Sequence, residues 1–200
     1  MTKILKSVSK TLSLATICFS IALIGAADAQ ADENAKLKAE ARTIIKSFAV
    51  KLKSELVGAM KSGGPIKAMG VCNTKAQDIT ADASAKSNWR VARTSLKLRN
   101  PGNEPDAWEL KVLEDFEKKR AAGADPKTLE FSQITTYDDK KSFRFMKAIP
   151  TGGPCLACHG GANVKPEVDA LIKDLYPTDK ARGYNAGDLR GAFSLAKPLE

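Results

Sequence analysis

Residues 129–149 read LEFSQITTYDDKKSFRFMKAI, and this stretch decides the fold class of the chain. Two runs rich in β-branched and aromatic residues, 129–137 and 142–149, flank the polar segment Asp138-Asp139-Lys140-Lys141. Apolar and polar residues broadly alternate in both runs, which is the pattern of a half-buried strand. The stretch therefore predicts a β-hairpin, and strands at this position argue against an all-helical protein.

The residues before the hairpin predict helices. From Ala31 to about Lys61 there is no proline, and apolar residues recur every three or four positions, which predicts a long amphipathic helix. Ser62-Gly63-Gly64-Pro65 is expected to end it. A second stripe, from Ile66 to Ala83, carries Cys72 on its apolar face, so Cys72 is expected to point toward the core.

The remaining elements complete an α+β pattern. Asp106 is expected to cap a helix that runs to about Ala122. Short strands are predicted over 89–94 and 189–196, with a helix over 166–175 between the hairpin and the last strand. With 43% hydrophobic and 28% charged residues, the chain has the composition of one globular domain. The fold class expected is α+β, an antiparallel sheet flanked by helices with a long N-terminal helix.

The first 29 residues have the features of a signal peptide. Lys3, Lys6 and Lys10 form a basic region, an apolar run follows, and Ala27-Asp28-Ala29 is an A-x-A site that places cleavage before Gln30. The run is shorter than the roughly 20 residues that a membrane-spanning helix needs, so no transmembrane segment is expected after processing. The predicted organisation is a signal peptide, 1–29, and one domain, 30–200, in the periplasm.

The chain is basic, with a formal net charge of +9. Such a charge suits an acidic redox partner protein or an anionic lipid surface, and it also serves solubility. Nucleic acid is not an expected partner, because acidic residues interrupt the basic ones and no basic cluster carries interleaved aromatics.

The chemistry is concentrated in Cys155-Leu156-Ala157-Cys158-His159. In a C-x-x-C-H motif the two thiols reach the two vinyl groups of one haem, and the next histidine turns its imidazole onto the iron. His159 is the only histidine in the sequence. The motif therefore predicts one covalent haem c, held by Cys155 and Cys158, with His159 as the proximal iron ligand.

Two other readings of the motif fit less well. A zinc site would need four ligands and finds at most Cys72 beyond the motif. A thioredoxin-type disulfide would open a helix within a βαβ unit, whereas glycine and proline flank this motif on both sides. For the second axial position of the iron, the chain offers Cys72, Met60, Met69, Met146, a lysine, a tyrosine or water.

Several segments in a fixed order resemble the PAS-like c-type haem family. They are Ala68 to Cys72, Arg93 to Glu109, Cys155 to Gly160, Asp174 to Pro177 and Gly187 to Phe193. This family occurs both as exported haem proteins and as the sensory part of bacterial signalling proteins. The resemblance spans about residues 35–200 and implies a PAS-like antiparallel sheet with helices packed on it.

The resemblance also bears on the second axial ligand. The cyanobacterial member binds haem through His plus Cys, and that cysteine corresponds to Cys72, which makes Cys72 the expected distal ligand. Arg93, Arg99 and Arg190 are candidates to pair with haem propionates, or are solvated at the surface.

The function expected is electron transfer or redox relay by a single-haem cytochrome. The alternative is a haem-based redox or gas sensor that signals through a partner protein. An enzyme is not expected, and a small peroxidase ranks last because the chain has no distal histidine.

Overall fold

The computed structural model describes the backbone of residues 15–199 and the side chains of residues 30–199. The predicted signal peptide, 1–29, lies outside the residues with described side chains. Of the helices the structure describes, none is both long and apolar enough to cross a membrane. The chain divides into two units, 1–40 and 41–200. In the first, residues 15–40 are helical, and Lys36 pairs with Asp32 one turn away.

The first helical element, α1, runs from Ala15 to Gly70 and is broken where the sequence predicts. Gly64 has φ 66° and ψ −163°, a conformation that is essentially restricted to glycine, and Pro65 follows. Before this break, Ala41, Ile45 and Phe48 are buried at helical spacing. The buried isoleucine is therefore Ile45, next to the Ile44 of the predicted stripe.

A π-helical turn, Val71–Lys75, separates α1 from α2, which spans Ala76–Ser87. The wider π turn changes the phase of the helix, so the predicted apolar stripe does not continue unbroken through it. Met69 and Ala76 are buried, whereas Cys72 is exposed. The prediction that Cys72 points into the core is wrong for this reason.

Four antiparallel strands form one sheet in the order β1-β4-β3-β2. The strands are β1 (Arg90–Thr94), β2 (Glu130–Tyr137), β3 (Lys140–Pro150) and β4 (Leu189–Pro198). The hairpin β2–β3 is confirmed, but its connection is shorter than the four residues predicted. Asp138 and Asp139 alone form the turn, with φ 55° and 58°. Two such residues match the twist of a hairpin, so Lys140 and Lys141 join the strand.

Helices cover both faces of the sheet. On one face α1 packs on β4, where the rings of Phe48 and Phe193 meet edge to face with centroids 5.7 Å apart. On the other lies α3 (Ala107–Ala121), which buries Val112, Leu113 and Phe116. The α+β class expected from the sequence is confirmed.

One end of the sheet carries the candidate site. Here β1 and β3 end and β4 begins, and Pro150 pairs with Leu189. A 3-10 turn (Gly153–Cys155) and the short helix α4 (Leu156–His159) follow β3 directly, and α5 (Pro166–Leu175) follows them.

Replacing Gly191 by alanine should destabilise this end of the sheet strongly. A Cβ on Gly191 would lie 2.3 Å from the carbonyl oxygen of Thr94 in the neighbouring strand, and backbone cannot give way as a side chain can. We expect a loss of about 3 kcal/mol in the free energy of unfolding, measured by urea denaturation. Gly58→Ala is the control, because Gly58 lies within α1 with no atom within 4 Å of its added Cβ. It should be neutral or slightly stabilising. Equal midpoints for both variants would contradict the prediction.

Candidate functional site

The C-x-x-C-H segment is helical. Cys155 ends the 3-10 turn, and the amide of Gly160 donates to the carbonyl of Leu156, closing α4. Residues three and four positions apart share one side of a helix, so Cys155, Cys158 and His159 project from the same side. All three are partly buried. The arrangement brings two thiols and one imidazole together on a single short turn.

The imidazole of His159 has a defined tautomer. Its Nδ1 lies 2.9 Å from the carbonyl oxygen of Ala181, which can only accept, so Nδ1 carries the proton. Burial lowers the pKa of His159 to about 3, and the charges of Arg190 and Arg99 contribute. The ring is therefore neutral at pH 7 and its Nε2 presents a lone pair, the form in which histidine binds a metal.

A loop between α5 and β4 holds the motif in place. The amides of Gly183 and Tyr184 donate to the carbonyls of Gly160 and His159, each at 3.0 Å. The Tyr184 ring also meets the His159 ring edge to face, with centroids 6.2 Å apart. The contacts of this loop join residues more than 20 positions apart, and no local pattern marks them.

Cys72 lies close to the motif although it is distant in sequence. Burial raises the pKa of its thiol, while Arg93, Arg99 and Arg190 act in the opposite direction, and Cys155 also contributes. The thiol is thus surrounded by protein even though the residue keeps accessible surface. The structure brings all three predicted cysteines into one neighbourhood.

The three predicted arginines lie around these cysteines but differ in their partners. Arg93, on β1, has its guanidinium 5.8 Å from the centre of the Phe48 ring. Arg190, on β4, places Nε 3.5 Å from His159 Nε2 and donates from Nη1 to Ser95 Oγ at 3.0 Å. Arg99 is buried and forms an ion pair with Asp179 at 3.0 Å. Propionate binding by the three stays a prediction.

Comparison with known proteins places the chain in a family. The model of the Tll0287-like family, described as Tll0287, matches residues 24–198. The chain belongs to the Tll0287-like family. The crystal structure of the cyanobacterial haem protein Tll0287 is similar, with a TM-score of 0.60 and 26% sequence identity over 78% of this chain and 93% of that one. Among curated proteins, none matches. The resemblance deduced from the sequence segments is confirmed.

In this Tll0287-like chain the methionines that competed with Cys72 have packing roles. Met146 is fully buried in the cluster between the sheet and α3. Met60 packs against a small cluster of Ala59, Ala68 and Val71. Met69 is buried together with residues of α5 and contacts the same cluster as Cys158. Of the three, only Met69 adjoins the motif.

Proposed function

We propose that this protein binds one haem c through Cys155 and Cys158, with His159 as proximal and Cys72 as distal iron ligand. It would act in electron transfer or redox relay in the periplasm. The observation that carries the proposal is the neutral imidazole of His159, with Nε2 unprotonated, on the same helical turn as the two thiols of Cys155 and Cys158. That donor set suits the group, because c-type attachment needs two thiols and an adjacent imidazole.

The surroundings of Cys72 also suit the proposed role. Burial raises the pKa of its thiol, and three guanidiniums, those of Arg93, Arg99 and Arg190, oppose that rise and so act toward the thiolate that a metal requires. When bound, the haem iron supplies one-electron redox chemistry. A thiolate ligand stabilises the ferric state and lowers the reduction potential relative to a methionine ligand.

The test is Cys72→Ala, compared with Met69→Leu, which alters the methionine nearest the motif. Ferric wild type should give the optical and electron paramagnetic resonance signature of a low-spin thiolate haem, and Cys72→Ala should lose it. The midpoint potential should rise by on the order of 0.1 V, within the roughly 0.8 V range that axial ligands span. Met69→Leu should keep both properties. A wild-type signature in Cys72→Ala would remove Cys72 as the ligand.

A second function, redox or gas sensing through a partner protein, is favoured by the position of Cys72 within the π turn Val71–Lys75. Single π turns are frequent at functional sites, and this one continues directly from α1. Release of Cys72 on reduction could therefore alter the helix that carries it. Rapid carbon monoxide binding by the reduced wild type would select sensing, and inert six-coordinate haem in both redox states would select electron transfer.

The partner proposed is an acidic redox protein, in keeping with the excess of basic over acidic residues, which remains when the predicted signal peptide is left out. Lys97 is exposed at the site, with its ammonium 5.1 Å from the centre of the Tyr184 ring. Exposed positive charge beside the motif would steer an acidic partner toward it.

A further inference from the structure

We infer that Arg99 and Asp179 are positioning residues for His159, acting through the backbone carbonyls of Cys158 and Ala181. The inference rests on the proposed function, since it concerns the residues that hold the same histidine in position for the haem iron. It gives Arg99 a role different from the propionate contact that the sequence suggested.

Arg99 uses its forked guanidinium to join two backbone segments. Its Nη2 donates to the carbonyl of Cys158 at 2.6 Å and to that of Ala181 at 3.3 Å. The same guanidinium makes two bonds to Asp179, from Nε at 3.1 Å and from Nη2 at 3.0 Å. The side chains of Arg99 and Asp179 are only 7% and 5% exposed, so water screens the pair little.

Asp179 holds Ala181 from its other side. Its Oδ1 accepts from the amide of Ala181 at 2.9 Å. The amide and the carbonyl of Ala181 are therefore both bound, and Ala181 itself is fully buried. This is the residue whose carbonyl accepts the proton of His159 Nδ1.

These hydrogen bonds form a closed circuit that begins and ends at the C-x-x-C-H motif. It passes from the Cys158 carbonyl to Arg99, Asp179 and Ala181, and returns to the imidazole of His159, the next residue after Cys158. The carbonyl of Ala181 accepts one further bond, from Arg99, and the amide of Ala181 is bound to Asp179, so the acceptor that orients the His159 imidazole is held in place. Such partners of a ligating histidine set its tautomer and its electron donation.

The test is Arg99→Lys, which keeps the charge but loses the fork, because an ammonium cannot reproduce bidentate geometry. Arg182→Lys is the matched control. Arg182 lies in the loop that carries Asp179 and Ala181, and its Nε donates to the Asp179 carboxylate at 2.8 Å, but the other described bond of its guanidinium goes to Asp169. The readout is the solvent exchange rate of the His159 Nδ1 proton, measured by NMR on the reduced protein.

We expect exchange about tenfold faster in Arg99→Lys, as for loss of one charge-assisted hydrogen bond, and a rate within twofold of wild type in Arg182→Lys. A rate in Arg99→Lys within twofold of wild type would overturn the inference. So would equal acceleration in both variants, since that would report general loosening of the loop. If Arg99→Lys does not fold, Asp179→Asn carries the same test, because Asn keeps an oxygen for the Ala181 amide and loses the ionic bond to Arg99.

The midpoint potential of the haem provides a second readout. General loosening of the loop would shift it in both variants, not in Arg99→Lys alone. Weaker donation from the imidazole should destabilise the ferric state and so raise the midpoint potential of Arg99→Lys above the wild-type value. Arg182→Lys should stay at the wild-type value. An unchanged potential in Arg99→Lys would contradict the inference. Absence of covalent haem from wild type would instead sink the proposed function, and the Nδ1 exchange comparison would then be made on the haem-free chain.

Discussion

Replacing both Cys155 and Cys158 by alanine should abolish haem that survives denaturation. Wild type should stain for haem on a denaturing gel, because thioether bonds persist when the protein unfolds. In the double variant the remaining imidazole of His159 is a reversible ligand only, so the denatured chain should carry no stain. Each single variant should keep one bond and a shifted α-band in the reduced spectrum.

The control for this experiment is Cys72→Ala. Cys72 belongs to the same neighbourhood, and its thiol affects the pKa of Cys158, but it lies outside the C-x-x-C-H turn. It should stain as strongly as wild type. Stain that persists in the double variant would refute covalent attachment through the motif, and loss of stain in Cys72→Ala would show that a third thiol takes part.

Removing Glu109 should cost the most stability of any single change considered. Glu109 lies in the first turn of α3, and its side chain is 3% exposed. Its carboxylate accepts from Ser194 Oγ at 2.6 Å and from the backbone amide of Asp106 at 3.0 Å. It also lies 3.4 Å from the buried guanidinium of Arg144 on β3. With the guanidinium of Arg90 on β1 at 3.5 Å as well, one side chain connects the start of α3 to three strands.

We expect Glu109→Ala to lower the free energy of unfolding by about 3–5 kcal/mol, because it leaves the buried guanidinium of Arg144 with half-exposed Asp106 as its one carboxylate partner among the described residues. The total free energy of unfolding of a native domain is about 5–15 kcal/mol, so Glu109→Ala should unfold at clearly lower urea concentrations than wild type. Glu109→Gln keeps the size of the side chain and one oxygen acceptor, although its NH2 group can only donate, so it should lose less stability than Glu109→Ala.

Glu114→Ala supplies the matched control. Glu114 is on the same helix but is exposed, and the change should stay within about 0.5 kcal/mol of wild type. A loss in Glu109→Ala no larger than that of Glu114→Ala would show that the Asp106–Arg144–Glu109 network does not hold α3 on the sheet.

Local signals in the sequence located most elements. The helix that begins after Asp106 was predicted from its cap, and the structure adds the full capping box with Glu109, whose residues are only three positions apart. The hairpin was also predicted, but not its turn. Asp138 and Asp139 both adopt positive φ, and a prediction based on composition assigned the following lysines to the loop as well.

The candidate site also has features that the sequence predicted and features that only the tertiary structure shows. By itself the sequence determined the α+β class and the C-x-x-C-H turn with Cys155, Cys158 and His159, because each depends on residue type and on spacing within a few positions. Cys72 was added only by the resemblance to the family. Only the tertiary structure decided that Ala181 orients His159, that Arg99 is tied to Asp179, and that a π turn takes Cys72 out of the apolar stripe. These features depend on which distant segments meet after packing, and on a local change of helix phase, and neither is encoded in a periodic pattern.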